Sequence, residues 1–207
     1  MTDYAHQLRS HCAAANLQLS DRQVQLLTDY LALILKWNSA YNLTAVRDGE
    51  EMVTRHLLDS LVVAPFLADC QHIADVGTGP GLPGVPLAIL YPDKQFTLID
   101  SLGKRIVFLR QVRHLLGLPN IEPVQTRVEQ YRTELTIDGV VSRAFASIGD
   151  MLNWCAHLSD RFFAMKGAYP EAELLEVKAP FKVAAVHRLT VPGQEGERHL
   201  VEITKQV

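Results

Sequence analysis

The sequence predicts an α/β protein in which a mostly parallel sheet carries helices on both faces, ends in an antiparallel hairpin and follows a helical segment. Between residue 72 and about residue 165, short apolar or β-branched runs alternate with helix-like segments, which is typical of a parallel sheet covered on both faces. Two strand-like runs follow near the C-terminal end. Residues 1–70 have apolar side chains at helical spacing instead.

The first 70 residues are predicted to be an N-terminal helical extension, and residues 71–207 a nucleotide-binding domain. Ser20-Asp-Arg-Gln23 fits a capping box, and apolar residues at helical spacing follow it. A second helix is predicted over 50–67, with Pro65 as its kink or its end. The aromatic and amide-rich stretch 37–44 between the two helices is predicted to be a loop.

Five strands and three helices are predicted in the second part of the chain. The strands are expected at 73–76, 96–99, 121–125, 140–142 and 162–165, and the helices at 85–91, 104–116 and 148–158. The runs 181–191 and 199–205 flank a Pro- and Gly-containing turn, which indicates a closing hairpin. Together these elements predict a seven-stranded sheet.

Composition narrows the class of protein. The chain has 207 residues, of which 48% are hydrophobic and 21% charged, as expected for one folded domain with a small extension. No stretch approaches the ~20 apolar residues that span a bilayer, and the first fifteen residues contain no apolar signal segment, so a cytoplasmic protein is expected. Three distant cysteines without a CxxC pair predict neither a disulfide nor a metal site. The net charge of −3 means that nucleic-acid binding would depend on a local basic patch.

The most informative segment is Ile73-Ala-Asp-Val-Gly-Thr-Gly-Pro-Gly-Leu-Pro-Gly84. A strand followed by a glycine loop and a helix is typical of nucleotide sites, because glycine lets the backbone approach the ligand. Asp100 ends the next predicted strand, where a carboxylate would accept the ribose hydroxyls of the nucleotide. Both features suit NAD and S-adenosylmethionine (AdoMet) equally.

Two details of the loop favour AdoMet. Asp75, at the predicted loop entrance, would attract the sulfonium and ammonium groups of AdoMet and repel a pyrophosphate. Pro80 and Pro83 remove backbone N–H donors that a phosphate would need. An NAD-dependent oxidoreductase stays open as an alternative, and so does a non-catalytic RNA-binding module.

Four segments together resemble the RsmG (GidB) family of bacterial methyltransferases, which modify N7 of a guanine in 16S ribosomal RNA. They are Arg55-His-Leu-Leu-Asp-Ser60, the loop 75–84, Asp100-Ser-Leu-Gly-Lys-Arg105 and Ser142-Arg-Ala-Phe-Ala146. The resemblance extends to 36–44 and 193–199. It implies a class I AdoMet-dependent methyltransferase (Rossmann-like) fold, AdoMet as cofactor and S-adenosylhomocysteine as product.

The glycine loop and the resemblance together predict the cofactor site. The expected cofactor residues are Asp75, Gly77, Thr78, Gly79, Leu82, Asp100, Val128, Glu129 and Arg143. Two of them have structural alternatives: Glu129 could be a solvated carboxylate at a helix start, and Arg143 could pair with Asp138 or Asp150. Position at the carboxyl end of a strand favours a functional role for Arg143.

Basic and aromatic residues near the predicted strand ends, together with two residues of the helical extension, are candidates for RNA contact. They are Arg55, His56, Lys104, Arg105, Phe145 and Lys166, with Phe145 and also Tyr41 able to stack on a guanine. Arg55 and His56 are supported by the resemblance alone, and His56 could instead be a partly buried structural histidine. The resemblance implies 16S ribosomal RNA as partner, within the small ribosomal subunit or its precursor, and we expect a monomer that does not bind membranes.

The chain shows no obvious acid, base or nucleophile for the reaction. None of the three cysteines follows a predicted strand, as carbon-5 methylation of a pyrimidine would require. The segment after the fourth strand is Ser142-Arg-Ala-Phe145, without the prolines typical of amine methyltransferases. Guanine N7 has a lone pair and loses no proton on attack, so we expect catalysis by proximity, with no certain catalytic residue.

Overall fold

The computed structural model describes residues 3–143, 145 and 147–206, which form one seven-stranded sheet. The strands are β1 (His72–Val76), β2 (Gln95–Asp100), β3 (Ile121–Gln125), β4 (Gly139–Ser142), β5 (Arg161–Lys166), β6 (Phe181–Leu189) and β7 (Arg198–Lys205). Their order is β3-β2-β1-β4-β5-β7-β6. Strands β1 to β5 are parallel, and β7 is antiparallel to both β5 and β6. The predicted parallel sheet with a closing hairpin is confirmed.

Helices cover both faces of this sheet, as predicted. They are α1 (Tyr4–Ala14), α2 (Asp21–Tyr41), α3 (Gly49–Met52), α4 (Asp59–Leu61), α5 (Gly84–Leu90), α6 (Gly103–Leu116), α7 (Ile148–Cys155) and α8 (Glu171–Glu176). On one face α1, α2, α5 and α6 pack in a single apolar cluster with Phe96 and Leu98 of β2. On the other face α7 packs against Val140 and Phe162. Within the described residues, no helix combines the length and the apolarity needed to cross a membrane.

The N-terminal helices share their apolar core with the sheet. Leu27, Leu31 and Ile34 of α2 are fully buried in the same cluster as Leu98 and Leu109. The hydroxyl of Tyr30, also on α2, donates a hydrogen bond to the carbonyl of Pro80 in the glycine loop at 2.8 Å. Helix α2 therefore supports the loop directly, and a domain boundary near residue 70 stays a prediction.

The prediction of a loop over 37–44 is wrong for its first half, because α2 continues to Tyr41. The ring of Trp37 stacks on that of Tyr41 at 5.1 Å and meets the edge of Phe108 on α6 at 5.4 Å. This packing outweighs the loop-like composition. The helix ends at Asn42, which takes a left-handed conformation, and the predicted capping box at Ser20 is present.

The segment 50–67, predicted as a helix that Pro65 kinks or ends, is helical over most of its length but is not a regular α-helix. After α3 the chain forms a π-helical turn over Val53–Leu58, then α4, then a 3-10 turn over Ala64–Leu67 that contains Pro65. In the π turn the backbone N–H of Asp59 donates to the carbonyls of Thr54 and His56. Such turns occur often at functional sites, and apolar spacing alone does not distinguish them from an α-helix.

Lys94 ties the end of the helical extension to the sheet. Its buried Nζ donates to the carbonyls of Leu67, Ala68 and Cys70 at 2.8, 2.6 and 2.8 Å.

Replacement of Lys94 by methionine is expected to lower the free energy of unfolding by about 2–3 kcal/mol, because these carbonyls lose a charged donor. Urea denaturation measures the loss. The exposed Lys182→Met variant is the control and should change stability by less than about 0.5 kcal/mol; equal losses would contradict the role of Lys94.

Candidate functional site

The glycine loop follows β1 and turns back over the sheet. Gly77, Gly79 and Gly81 have φ of 68°, 61° and 103°, values that favour glycine. A Cβ at Gly81 would overlap the side chain of Val85 and lie 2.8 Å from Cδ2 of Leu109, whereas a Cβ at Gly79 would meet no atom within 4 Å. Gly81 therefore serves packing inside the protein, and Gly79 borders open space where a ligand can approach the backbone.

Asp100 at the end of β2 links this loop to the start of α6. Its side chain is buried; Oδ2 accepts from the backbone N–H of Gly79 at 3.0 Å and from Nη1 of Arg105 at 2.9 Å. Its Oδ1 accepts from the backbone N–H of Leu102 at 2.9 Å. A carboxylate accepts about four hydrogen bonds, so three donors leave room for a ligand hydroxyl.

A cavity of about 240 Å³ opens beside Asp100, at the carboxyl ends of β1, β2 and β3. We call it the loop cavity. It brings together four of the predicted cofactor residues, namely Gly77, Asp100, Val128 and Glu129. Ile99 and the buried Val128 supply apolar wall, while the side chain of Glu129 is exposed. Ligands of open α/β sheets bind in this place.

Two aromatic rings close one side of the loop cavity. Phe145, predicted to stack on RNA, lies 5.6 Å from Trp154 of α7, and both line the cavity. Trp154 was not identified from the sequence, because its place in α7 gave no signal apart from helical spacing. Of the quoted segment 142–146, Ala144 and Ala146 lie outside the described residues.

Asp75 lies beneath the glycine loop, so its predicted position at the loop entrance is wrong. The side chain is fully buried, and Oδ2 accepts from Oγ1 of Thr78 at 2.6 Å and from the N–H of Gly84 at 2.8 Å. Burial raises the pKa of Asp75 to about 6. Thr78 and Leu82 are buried as well. These three residues shape the loop, and their contact with a cofactor stays a prediction.

A second cavity, of about 350 Å³, lies at the carboxyl ends of β4 and β5. We call it the basic cavity. It is lined by Arg143 from the predicted cofactor set, by Arg55, His56 and Lys166 from the predicted RNA set, and by Asp59, Arg198 and His199. Arg143 pairs with Asp59 at 3.2 Å, a different partner from the two considered in the sequence. It does not line the loop cavity, and its contact with a cofactor stays a prediction. Lys104 and Arg105 do not line the basic cavity: Lys104 donates to the carbonyl of Tyr41 at 3.0 Å, and Arg105 pairs with Asp100.

The cations of the basic cavity are held by carboxylates. Lys166 pairs with Glu173 at 2.8 Å, and Arg55 pairs with Glu51 one helical turn before it. Arg198 pairs with Asp59 at 3.2 Å. The cavity is therefore polar and preorganised, with a modest excess of positive charge.

His56 is buried in the wall of the basic cavity, as its structural alternative expected. It is 4% exposed, and its Nε2 lies 2.8 Å from Oγ1 of Thr44. Burial, with the nearby charge of Arg143, lowers the pKa of His56 to about 4. The imidazole is thus neutral at pH 7, and a role in RNA contact stays a prediction.

The burial of His56 predicts a pH-dependent loss of stability. The unfolded imidazole binds a proton below about pH 6.5 and the folded one only below about 4, so its contribution is complete above pH 6.5 and is lost as pH falls to 4. Asp75 has the opposite effect, because its pKa is raised on folding. Its contribution to the free energy of unfolding is complete below pH 3.8 and is lost as the pH rises through about 6.

In the wild-type protein the pH-dependent contributions of His56 and Asp75 to the free energy of unfolding offset one another. The His56→Gln variant separates them. The difference in free energy of unfolding between wild type and H56Q is expected to grow by about 3 kcal/mol from pH 4 to pH 6.5. Urea titrations at several pH values measure it. A difference that is constant with pH would show that His56 titrates normally.

Sequence reasoning missed several residues of the basic cavity. Asp59, Gln194, Arg198 and His199 line it, and none was given a role. The available signal was their position inside segments 55–60 and 193–199, which carry the family resemblance. Within the described residues, no group of three His, Cys, Asp or Glu side chains is placed to hold a metal ion.

Solved structures share the fold of this chain. The complex of M. capricolum TrmK with S-adenosyl-homocysteine aligns with a TM-score of 0.60 and 18% identity, over 70% of this chain and 67% of that one. Magnesium protoporphyrin IX methyltransferase (ChlM) from Synechocystis PCC 6803, with bound SAM, aligns with a TM-score of 0.61 and 15% identity, over 86% and 98%. At these identities the similarity shows the class I methyltransferase fold alone.

Sequence comparison shows the family. Ribosomal RNA small subunit methyltransferase G of Serratia proteamaculans is 57% identical over 198 residues, which cover 94% of this chain and 96% of that protein. The protein of the same name from Salmonella arizonae is 57% identical over 192 residues, which cover 91% and 92%. The GidB family model, described as rRNA small subunit methyltransferase G, matches residues 23–201. The chain therefore belongs to the GidB family.

Proposed function

We propose that this chain transfers a methyl group from AdoMet to N7 of a guanine in 16S ribosomal RNA. The observation that carries the proposal is the loop cavity, which Asp100 and Gly77 line at the carboxyl ends of the parallel strands. Membership of the GidB family supports the reaction, and the names of the relatives support ribosomal RNA of the small subunit as substrate.

The residues of the loop cavity fit AdoMet. The remaining acceptor capacity of Asp100 suits a ribose hydroxyl, and Ile99 and Val128 offer apolar surface for the adenine. Gly77, with a φ of 68° and no Cβ, brings the loop backbone to the cavity wall. When bound, AdoMet supplies an electrophilic methyl group on its sulfonium. The chain itself binds and orients the two reactants, which is where most of the rate enhancement of such a reaction arises.

The state of the cysteines supports N7 over a ring carbon as the target. All three are buried, and burial raises the pKa of Cys12 to about 11 and that of Cys155 to about 12. Burial also raises the pKa of Cys70. The thiols are therefore protonated at pH 7 and are poor nucleophiles. Methylation at N7 requires no nucleophile, since the nitrogen attacks with its own lone pair.

We further propose that the substrate is RNA within the small ribosomal subunit or its precursor, and that the chain acts in the cytoplasm as a monomer. The net charge is −3, and carboxylates hold the cations of the basic cavity. Long-range attraction to free RNA is weak under these conditions. An assembled particle supplies further contacts that isolated RNA lacks.

Mass mapping of ribosomal RNA tests the proposal. Cells that lack this protein are expected to lose one 7-methylguanosine from 16S ribosomal RNA, and a plasmid copy is expected to restore it. An unchanged methylation pattern would refute the proposed reaction. Calorimetry with AdoMet and with NAD tests the cofactor separately: binding of NAD alone would support the oxidoreductase alternative, and AdoMet binding without transfer would support the non-catalytic one.

A further inference from the structure

We propose that Asp59 is a positioning residue, whose buried carboxylate holds the guanidinium groups of Arg143 and Arg198 so that both can bind one phosphate of the RNA backbone in the basic cavity. The inference rests on the proposed function, because it takes RNA as the ligand. It assigns a role to an acidic residue in a cavity that otherwise carries cations.

Asp59 is shared between two arginines from different strands. Its Oδ2 accepts from Nη1 of Arg143, which follows β4, and its Oδ1 accepts from Nε of Arg198, the first residue of β7, both at 3.2 Å. The carboxylate is buried, whereas the two arginine side chains are about one-quarter exposed. One acid inside the protein thus fixes two cations that reach the cavity surface.

The backbone fixes each guanidinium at a second point. Nη1 of Arg143 also donates to the carbonyl of Arg55 at 2.9 Å, and Nη1 of Arg198 donates to the carbonyl of Glu197 at 2.7 Å. The π turn contributes to the first of these bonds. Because the N–H of Asp59 donates to Thr54 and His56, the carbonyl of Arg55 faces a side-chain donor instead of the N–H four residues later.

The remaining guanidinium nitrogens define the ligand. Nε and Nη2 of Arg143 and Nη2 of Arg198 have no hydrogen-bond partner among the residues that the structure describes. Two guanidiniums and one carboxylate leave one net positive charge. Planar N–H groups of this kind match the oxygens of a phosphate, and a phosphodiester carries one negative charge.

A purely structural role explains the arrangement less well. Burying a carboxylate is costly, and a buried ion pair adds little net stability compared with apolar packing. The main effect of Asp59 is therefore expected in RNA binding. Without the carboxylate the two guanidiniums are no longer held in place for the phosphate, so the affinity for RNA should fall although the local charge becomes more positive.

The Asp59→Asn variant tests this, because the amide keeps the shape of the side chain and removes its charge. The Kd for small-subunit particles is expected to rise about tenfold, as for the loss of one charged hydrogen bond. The KM for AdoMet should stay within about twofold, because Asp59 does not line the loop cavity. The melting temperature is expected to fall, since two arginines lose their buried partner, so retained AdoMet binding is the readout that identifies a positioning role. Parallel loss of AdoMet binding, RNA binding and melting temperature would show a structural role and overturn the proposal.

The matched control is Asp69→Asn. Asp69 pairs with Nη1 of Arg161 at 2.7 Å at the opposite end of the sheet, so the same chemical change is made away from the basic cavity, and Kd should not change. The wild-type protein in the same assay separates the two proposals. If the wild-type protein transfers no methyl group to the particles, the proposed function is refuted. If the wild-type protein is active and D59N binds the particles with an unchanged Kd, only the role of Asp59 is refuted.

The Asp59→Glu variant covers the case in which D59N does not fold. It keeps the buried charge but moves the carboxylate by one methylene, so both arginines shift. The Kd for the particles is expected to rise at least about threefold while AdoMet binding is retained. An unchanged Kd in a folded D59E protein would overturn the positioning role.

Discussion

Replacement of Asp100 by asparagine is expected to weaken the binding of AdoMet about 100-fold, or by about 2.7 kcal/mol. The carboxylate accepts from Gly79, Leu102 and Arg105 and in our proposal also from the ribose. An amide presents N–H groups to some of these donors, so the ligand loses its acceptor and the loop loses its anchor. A charged hydrogen bond contributes about 1.5–3 kcal/mol, and the loss of the loop's anchor adds to this cost.

Isothermal titration calorimetry with AdoMet measures this change. The control is Asp160→Asn at the amino end of β5, where Asp160 is exposed and pairs with Lys205 at 3.5 Å. That variant should bind AdoMet like the wild type. If D100N is folded and its affinity stays within about threefold of wild type, Asp100 does not hold the cofactor.

Replacement of Gly81 by alanine is expected to lower the free energy of unfolding by about 4 kcal/mol. The backbone φ of 103° is strained for any residue with a Cβ, which costs about 1–3 kcal/mol. The new methyl group would also overlap Val85 and press on Leu109 and Tyr30, and overpacking of a core costs about 1–3 kcal/mol. Because these neighbours belong to α2, α5 and α6, the damage extends to the helices around the loop.

The Gly117→Ala variant separates the cost of backbone strain from the cost of overpacking. Gly117 ends α6 with φ of 62°, and a Cβ there would meet no atom within 4 Å. This variant should lose only about 1 kcal/mol, the backbone cost alone. Urea denaturation of both variants gives the comparison, and equal losses would mean that the loop expands to accept the methyl group without strain.

The sheet could be predicted because its signals are local. Strands β1, β2, β4 and β5 are short apolar runs that are almost entirely buried. The edge strand β3 alternates buried and exposed residues; it was expected at 121–125 and lies at Ile121–Gln125. Helix ends were harder, since they depend on distant partners. Trp37 and Tyr41 are helical because Phe108 packs on Trp37, and nothing near residue 37 in the sequence carries that information.

Part of the candidate site could be predicted because its signals, like those of the sheet, are local in the sequence. Asp100 and Gly79 lie next to strand ends, and parallel topology brings such ends together. The burial of Asp75 could not be foreseen, because it depends on how the loop folds back so that Gly84 donates to its carboxylate. Asp59 was missed because its partners Arg143 and Arg198 lie 84 and 139 residues away.

The hydrogen bond between Tyr30 and Pro80 also bears on how the chain folds while it is being made. The two residues are 50 positions apart, so α2 leaves the ribosome well before the loop that it supports. Until α5, β2 and α6 are synthesised, Leu27, Leu31 and Ile34 lack a large part of the apolar surface that covers them in the folded protein. Residues 1–70 are therefore not expected to fold early as an independent unit, although protein domains usually do so in order of synthesis. Their final packing waits for α6, whose Phe108 packs on Tyr30 and Trp37 of α2.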